Sequence, residues 1–510
     1  MKNILYSLII ALFAMSITSC VDLDQLPQSF VTEEEYNEAA KNIEIAKLSA
    51  TGLYKTFWYA NYGFCCRMLR INTASDQMQT SFKANNSLTY IADLNPTVDA
   101  NGSDVHNSWK GCWNTISAAN TMIAGMPLPE VGEENVTTGG AYTTDEVAEF
   151  KAVLGEAYFM RALAYFYLVR EFGDAPLILD PADSNADHDR IAVETIYNKA
   201  IVPDALMAVE SLPETSRSGD SSTPSVWAAK ALMADIYMTM AGWPLNKGTE
   251  YYALAAEQAK DVIEDSDLSL SATYEDLWLE AKKTEANEHM FAIHNSVANS
   301  MASQYGKSFY PSDYYPNAGW ADYYARPDFM AEYPEGARKE HNFMTEWPTA
   351  DGVITQWEDS AYGLPAISKY YDFDNGNPGA SAQSNGLTPL YRYSEVLLMY
   401  AEASNLATGS VDALALSSIQ AVQSRAGMDQ SEWTTTTSSS EFDTAVFNET
   451  GYEIFAEGAK RWFDLVRRQK LEEYRPTEYA TSIFKEYNHY LYPIETTQIA
   501  LTGWSNNPGY

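Results

Sequence analysis

Basic residues are scarce in this sequence. Its 33 Lys and Arg stand against 69 Asp and Glu, a formal net charge of -36 over 510 residues. Such a surface repels phosphate backbones and anionic lipid, so nucleic acid is not an expected partner. Cysteine is rarer still: apart from Cys20 near the N-terminus there are Cys65, Cys66 and Cys112. An odd number with two adjacent argues against a disulfide framework, and without a CxxC pair they suggest no metal centre. The six histidines are scattered, and His289 and His294 are five apart, off a common helical face. No metal and no cofactor is therefore expected. The sequence also lacks a GxSxG elbow, an HExxH pair, a Walker loop and a GxGxxG turn opening a helix. Only carboxylates meeting in space would remain for catalysis, as in glycosidases, and no enzyme is expected. Beyond the N-terminus no stretch reaches the roughly 18 consecutive apolar residues needed to cross a bilayer.

Aromatic residues, by contrast, are plentiful: 35 Tyr, 12 Trp and 19 Phe make 13% of the chain. Rings offer flat apolar faces with polar edges, which suits carbohydrate binding as well as core packing. They concentrate between Tyr305 and Tyr324, where Tyr305, Phe309, Tyr310, Tyr314, Tyr315, Trp320, Tyr323 and Tyr324 crowd one loop-like stretch. Such a stretch is expected either to pack as a satellite core or to present a stacking surface. At the N-terminus, Lys2, an apolar run from Ile4 to Ile17 and Thr18-Ser19-Cys20 read as a secretion signal over 1–19. Small residues before Cys are similar to a lipoprotein cleavage box that makes Cys20 the acylated first residue of the mature chain. The polar stretch 20–31 reads as a tether.

From Thr32, a plausible N-cap, helical patterning takes over. Four helix pairs are expected, at about 32–126, 146–212, 225–265 and 392–425. Three first helices share a local pattern: Met160-x-Ala162-x-x-Tyr165, Leu232-x-Ala234-x-x-Tyr237 and Met399-x-Ala401-x-x-Ser404. A small residue one turn from a larger one lets helices approach closely. Tetratricopeptide-type pairs pack this way, so the expected fold is mainly α, stacked helix pairs forming a right-handed superhelical scaffold. Within the first pair, Trp109, Trp113, Ile116, Asn120 and Ile123 share a stripe, and Asn120 there should hydrogen-bond a neighbouring backbone. Two segments break the pattern: a polar excursion from Arg67 to Gly102, and an irregular aromatic-rich insertion over 266–390. Long loops inside a domain are commonly functional.

The stretch ETGYEIFAEGAKRWFDLVRR, Glu449 to Arg468, has the clearest helix signal. Phe455, Ala459, Trp462 and Val466 fall on one face, acids lead and bases trail, and Glu457 with Arg461 forms an i,i+4 pair. It reads as one docking helix over about 449–470. This stretch resembles the C-terminal signature of the SusD/RagB family, lipid-anchored nutrient-binding proteins of the Gram-negative outer membrane. DEVAEFKAVLGEAYFMRALAYFYLVREFGDAPLIL, Tyr492-Pro493-Ile494 and the Asn507-Pro508-Gly509-Tyr510 ending resemble the family too, as do Asp22 and Asp24 after the cysteine. The ending implies a chain that finishes where members finish.

The resemblance implies a single SusD-like domain over 32–510 with a loop-rich ligand-binding subdomain. It also implies capture of an oligosaccharide or polysaccharide, delivery to a SusC-like TonB-dependent transporter, and anchorage in outer-membrane lipid through Cys20. Family members build an aromatic arc from the excursion and the insertion. By place in the chain this nominates Asp76, Tyr90, Tyr305, Tyr310, Trp320 and Tyr323. Peptide capture by a SusD/RagB-like protein and a helical-repeat adaptor at the outer membrane remain open alternatives.

Overall fold

Ala162, Ala234 and Ala401, the small residues of the repeated pattern, are all fully buried. With nothing beyond Cβ, each lets a neighbouring backbone close on its helix. The computed structural model describes residues 37, 39–58, 63–81, 86–96, 104–126, 128–135, 137–185, 188–285, 287–316, 318–370, 385–428, 433–487 and 490–510. The expected signal, Cys20, the tether and Thr32 lie outside the described residues, as do the side chains of Cys65 and Cys66. The Cys112 side chain is buried.

The chain is mainly helical, as the patterning predicts. Its principal helices are α1 (Ile43–Trp58), α2 (Asp104–Gly125), α3 (Thr144–Phe172), α4 (Val202–Ser211), α5 (Val226–Ala241), α6 (Thr249–Asp265), α7 (Tyr393–Thr408), α8 (Ala413–Arg425), α9 (Ser439–Glu453) and α10 (Lys460–Arg467). From α1 to α8 each packs on the next, so the core runs as a continuous band along the stack. Local chemistry sets the ends. Thr143 and Glu146 close a capping box on α3, and Ser225, Asp412 and Ser438 cap α5, α8 and α9 through their side chains. At α3 hydrophobic residues occur all round, because the helix is buried on nearly every side. Asn120 donates to the Ile178 carbonyl at 2.8 Å, the backbone partner its position in a Trp/Ile stripe predicts.

Strands are few and short among the described residues. β1 (Met78–Thr80) lies in the first excursion, β2 (His289–His294) and β3 (Tyr323–Ala325) in the insertion, and β4 (Leu387–Arg392) leads into α7. β2 pairs antiparallel with β4, and β1 with β3.

The expected single docking helix over 449–470 is broken. α9 ends at Glu453 and α10 begins at Lys460, with Ala456 and Gly458 both in left-handed conformation between them. The physical reason is a buried cation. Lys369 Nζ donates to the Phe455 carbonyl at 2.7 Å and to Glu457 Oε1 at 2.6 Å, which requires carbonyls turned away from the helix ladder. Nor do Glu457 and Arg461 pair. Glu457 accepts from Arg392 Nη2 at 2.6 Å, while Arg461 forms a bidentate pair with Asp76 at 2.8 and 2.9 Å.

Around the break, four carboxylates (Glu288, Glu449, Glu453, Glu457) meet four cations (Arg338, Lys369, Arg392, Arg425), all buried or nearly so. The charges balance, and each carboxylate is within hydrogen-bond distance of at least one cation, which is what makes burial tolerable. A second cluster joins Glu402 to Arg467 and Arg468. Burial alone would push the Glu402 and Glu457 carboxyls up, but their surrounding cations outweigh it and hold both at about 2. An unfolded Glu takes its proton near 4.3, so the stability these groups contribute is complete above about that pH and is lost as pH falls towards 2. Thermal melts between about pH 5 and pH 2 are therefore expected to show a steep fall in Tm. Glu402→Gln should start lower and fall less steeply; equal slopes would contradict this assignment.

Candidate functional site

Thr80, Gln79 and Met78 pair with Tyr323, Tyr324 and Ala325, so β1 and β3 join the first excursion to the aromatic insertion. The strand pairing continues outward, with the Ser81 amide donating to the Asp322 carbonyl at 3.3 Å. The two segments nominated from the sequence, 245 residues apart at the Gln79–Tyr324 pair (324 minus 79), are thus joined in one two-stranded sheet. The excursion is tied from behind as well. Gln77 Nε2 donates to the Gly451 carbonyl at 2.6 Å, and Arg475 Nη1 reaches the Ala74 and Ser75 carbonyls at 2.9 and 3.1 Å.

The eight rings of Tyr305 to Tyr324 divide between core and surface. Tyr305, Phe309 and Tyr323 enter the main core, with Tyr305 stacked on Tyr370 at a centroid distance of 4.0 Å. Tyr314 and Tyr324 build a satellite core with Trp347 and Leu364. Only Tyr315 and Trp320 are well exposed, at 55% and 42%.

Of the nominated residues, Tyr305, Tyr310 and Tyr323 are 1%, 2% and 1% exposed, so their ring faces are covered by protein and offer no stacking platform in this conformation. Tyr323 instead accepts a hydrogen bond from Arg70 Nε at 2.9 Å, a link across the β1–β3 surface. Both carboxylate oxygens of Asp76 are engaged by Arg461, which ties the excursion to α10. Tyr90, 41% exposed, stands on the short helix Asn86–Ala92 beside β1. Trp320 stands in the loop between the satellite core and β3. Tyr315, not nominated, stands earlier in the same loop; its sequence neighbours do not set it apart from the buried Tyr310, since an aromatic residue precedes and a proline follows each, Pro311 and Pro316.

The loop is built rather than loose. The Trp320 amide donates to the Lys307 carbonyl at 2.6 Å, Lys307 Nζ donates to the Ala318 carbonyl at 3.1 Å, and the Tyr315 amide donates to the Pro348 carbonyl at 2.8 Å. Lys307 Nζ also lies 5.9 Å from the Trp320 ring centroid. At Gly319 a Cβ would collide with the Tyr310 carbonyl oxygen, so only glycine allows this close approach. Between Trp320 and β3, burial pushes the Asp322 carboxyl up despite the Arg70 guanidinium nearby. The loop therefore carries an exposed indole and an exposed phenol, with the Lys307 cation over the Trp320 ring and the half-buried Asp322 carboxyl two residues on. Such a mixture can hold a flat, hydroxyl-rich ligand.

Two family models match the chain in tandem. One, described as "Starch-binding associating with outer membrane", covers residues 24–238, and the other, "SusD family", covers residues 295–510. The chain belongs to the SusD family. Among SusD relatives, the SusD-like protein P2 of Formosa agariphila is 26% identical, with 99% of each chain covered. A SusD-like protein of Bacteroides ovatus is also 26% identical, over 78% of this chain and 71% of its own. The fold is that of a SusD homologue from Bacteroides thetaiotaomicron, with a TM-score of 0.80, 23% identity and coverage of 94% and 99%. A laminarin-binding SusD-like protein has the same fold at a TM-score of 0.70 and 19% identity, covering 92% and 99%. The SusD scaffold accounts for the stacked helix pairs, and the β1–β3 face is where this chain's two irregular segments meet upon it.

Proposed function

We propose that this chain is a cell-surface nutrient-binding lipoprotein. It captures an oligosaccharide or polysaccharide on the β1–β3 face and delivers it to a SusC-like TonB-dependent transporter in the outer membrane. The observation that carries this reading is the exposure of Tyr315 and Trp320 on a tightly hydrogen-bonded loop, next to polar groups, in an insertion whose other rings from Tyr305 to Tyr324 are buried. Rings held rigid cost little entropy on binding, and a sugar's C–H face can lie on each while its hydroxyls meet the polar edge. The starch-binding description of one matching family and the laminarin-binding relative support a glycan as ligand. Acylated Cys20 supplies the anchor, since two or three chains on one residue suffice for stable attachment.

Catalysis is not part of the proposal. The carboxyl with its pKa near 7, Glu395, is pushed up by burial and faces Lys460 at 2.7 Å inside the stack, beside a cavity of 30 Å³ that no sugar enters. The test is an array of glycans and peptides probed with the lipid-free protein from Asp22 onward. Retention by one class of glycan is expected. Retention by peptides alone would replace the saccharide with a peptide, and retention by neither would favour a helical adaptor.

A further inference from the structure

A second cleft, sharing no residue with the β1–β3 pair, opens between α2, residues 176–181 and 188–189, and the C-terminal segment, with a volume of 710 Å³. That size is typical of built ligand sites. Three indoles line it: Trp109 and Trp113 from α2, and Trp504 from the far end of the chain. Trp109 lies 5.9 Å from Trp113 and 6.3 Å from Trp504, with ring planes inclined at 57° and 63°, so the three make a concave aromatic corner. Pro176 and Ile178 extend the apolar floor.

The corner is preorganised. Trp109 is braced edge-on by Phe172 at 5.1 Å, and Trp113 by Tyr165 at 6.0 Å. Trp504 Nε1 donates to the His188 carbonyl at 3.0 Å. Asn507 Nδ2 donates to the Phe172 carbonyl at 3.0 Å and the Tyr492 carbonyl at 2.6 Å, while Arg190 Nη2 donates to Asn507 Oδ1 at 2.6 Å. These bonds fasten the Trp504 wall to the end of α3. A site assembled before binding loses little affinity to ordering.

We propose that this cleft is a second saccharide site, taking a neutral oligosaccharide or one stretch of a longer glycan. The inference rests on the saccharide-binding reading above. The rim carries neutral groups that both donate and accept, namely Asn114, Ser117, Gln498 and Thr502, with Lys110 and Asp189 offsetting each other in charge. Hydroxyl pairs on a sugar need that double capacity. A proline-rich peptide, the other common occupant of aromatic grooves, presents carbonyl acceptors and little else, so acceptors on the rim would be wasted on it. An anionic ligand is disfavoured by the net charge of -36. With two sites on one chain, a glycan long enough to reach both gains from effective concentration without any new contact.

The test is ¹⁹F NMR of the lipid-free protein labelled with 5-fluorotryptophan, with the resonances of Trp109, Trp113, Trp504 and Trp320 assigned through single Trp→Phe variants. The titrants are short laminari-, xylogluco- and malto-oligosaccharides and a proline-rich peptide. One saccharide is expected to shift the cleft resonances as well as that of Trp320, and to keep shifting the former in Trp320→Ala. Ser117→Trp, at an exposed rim position, should weaken the cleft shifts at least tenfold while leaving the Trp320 shift in place. A saccharide that moves Trp320 alone overturns the second site and leaves the proposed function standing. Cleft shifts with the peptide but with no saccharide also overturn it, and no shift anywhere with any saccharide removes both.

Discussion

Glu453→Gln is expected to destabilise the folded chain by about 3–5 kcal/mol, the usual cost of breaking a buried ion pair by removing one partner. Glu453 is fully buried, and it accepts from Arg338 Nη1 and Arg392 Nη1, both at 2.8 Å, and from Arg425 Nη2 at 2.5 Å. Gln keeps the shape but loses the charge and replaces one acceptor oxygen by an NH2 that points donors at donors. Four cations would then face three carboxylates within a buried cluster. Lys369 offers partial relief, because burial already pulls its ammonium down to about 7 and it can release a proton. The variant should therefore regain part of its stability between about pH 7 and pH 9, because a buried Lys that has shed its proton no longer adds to the excess. Urea denaturation at pH 7 and pH 9 measures both effects. A loss below about 1 kcal/mol would place these groups among ion pairs of surface strength and contradict the burial argument.

Trp320→Ala is expected to weaken saccharide binding by about tenfold to a hundredfold, or roughly 1.4–2.8 kcal/mol, the scale of an aromatic anchor at the centre of a binding face. The loop should survive the change, since main-chain bonds at Trp320, Gly319 and Tyr315 hold it. Asp76→Asn makes the contrasting case. It breaks the bidentate pair with Arg461 and should lower stability, yet leave the affinity of the folded protein within about twofold, less than 0.5 kcal/mol. Calorimetric titration with the retained oligosaccharide, beside a urea melt of each variant, separates the two. An affinity loss in Asp76→Asn equal to that in Trp320→Ala would return Asp76 to the ligand-binding set nominated from the sequence.

The helical scaffold was legible because it rests on local signals. Thr143, Ser225 and Ser438 cap their helices through their own side chains, and the buried Ala162, Ala234 and Ala401 announce close packing by size alone. The break between α9 and α10 was not legible. Its cause, Lys369, lies 86 residues from Phe455 in the chain, and a favourable helical period over 449–468 conceals it. Proximity of the excursion and the insertion could be expected, and β1–β3 pairing brings them together. Which rings face outward could not be read from aromatic density, since Tyr310 and Tyr315 have similar neighbours in sequence and opposite fates in the fold. Asp76 looked like a loop carboxylate free for a ligand; its partner Arg461 is 385 residues away.

The measurement that bears most directly on the central claim is a crystal structure of the lipid-free protein soaked with the oligosaccharide it retains best. A sugar ring is expected to lie on the face of Trp320 or Tyr315, with hydroxyls directed at the β1–β3 edge. A saccharide bound only elsewhere, with both rings left bare, would contradict it.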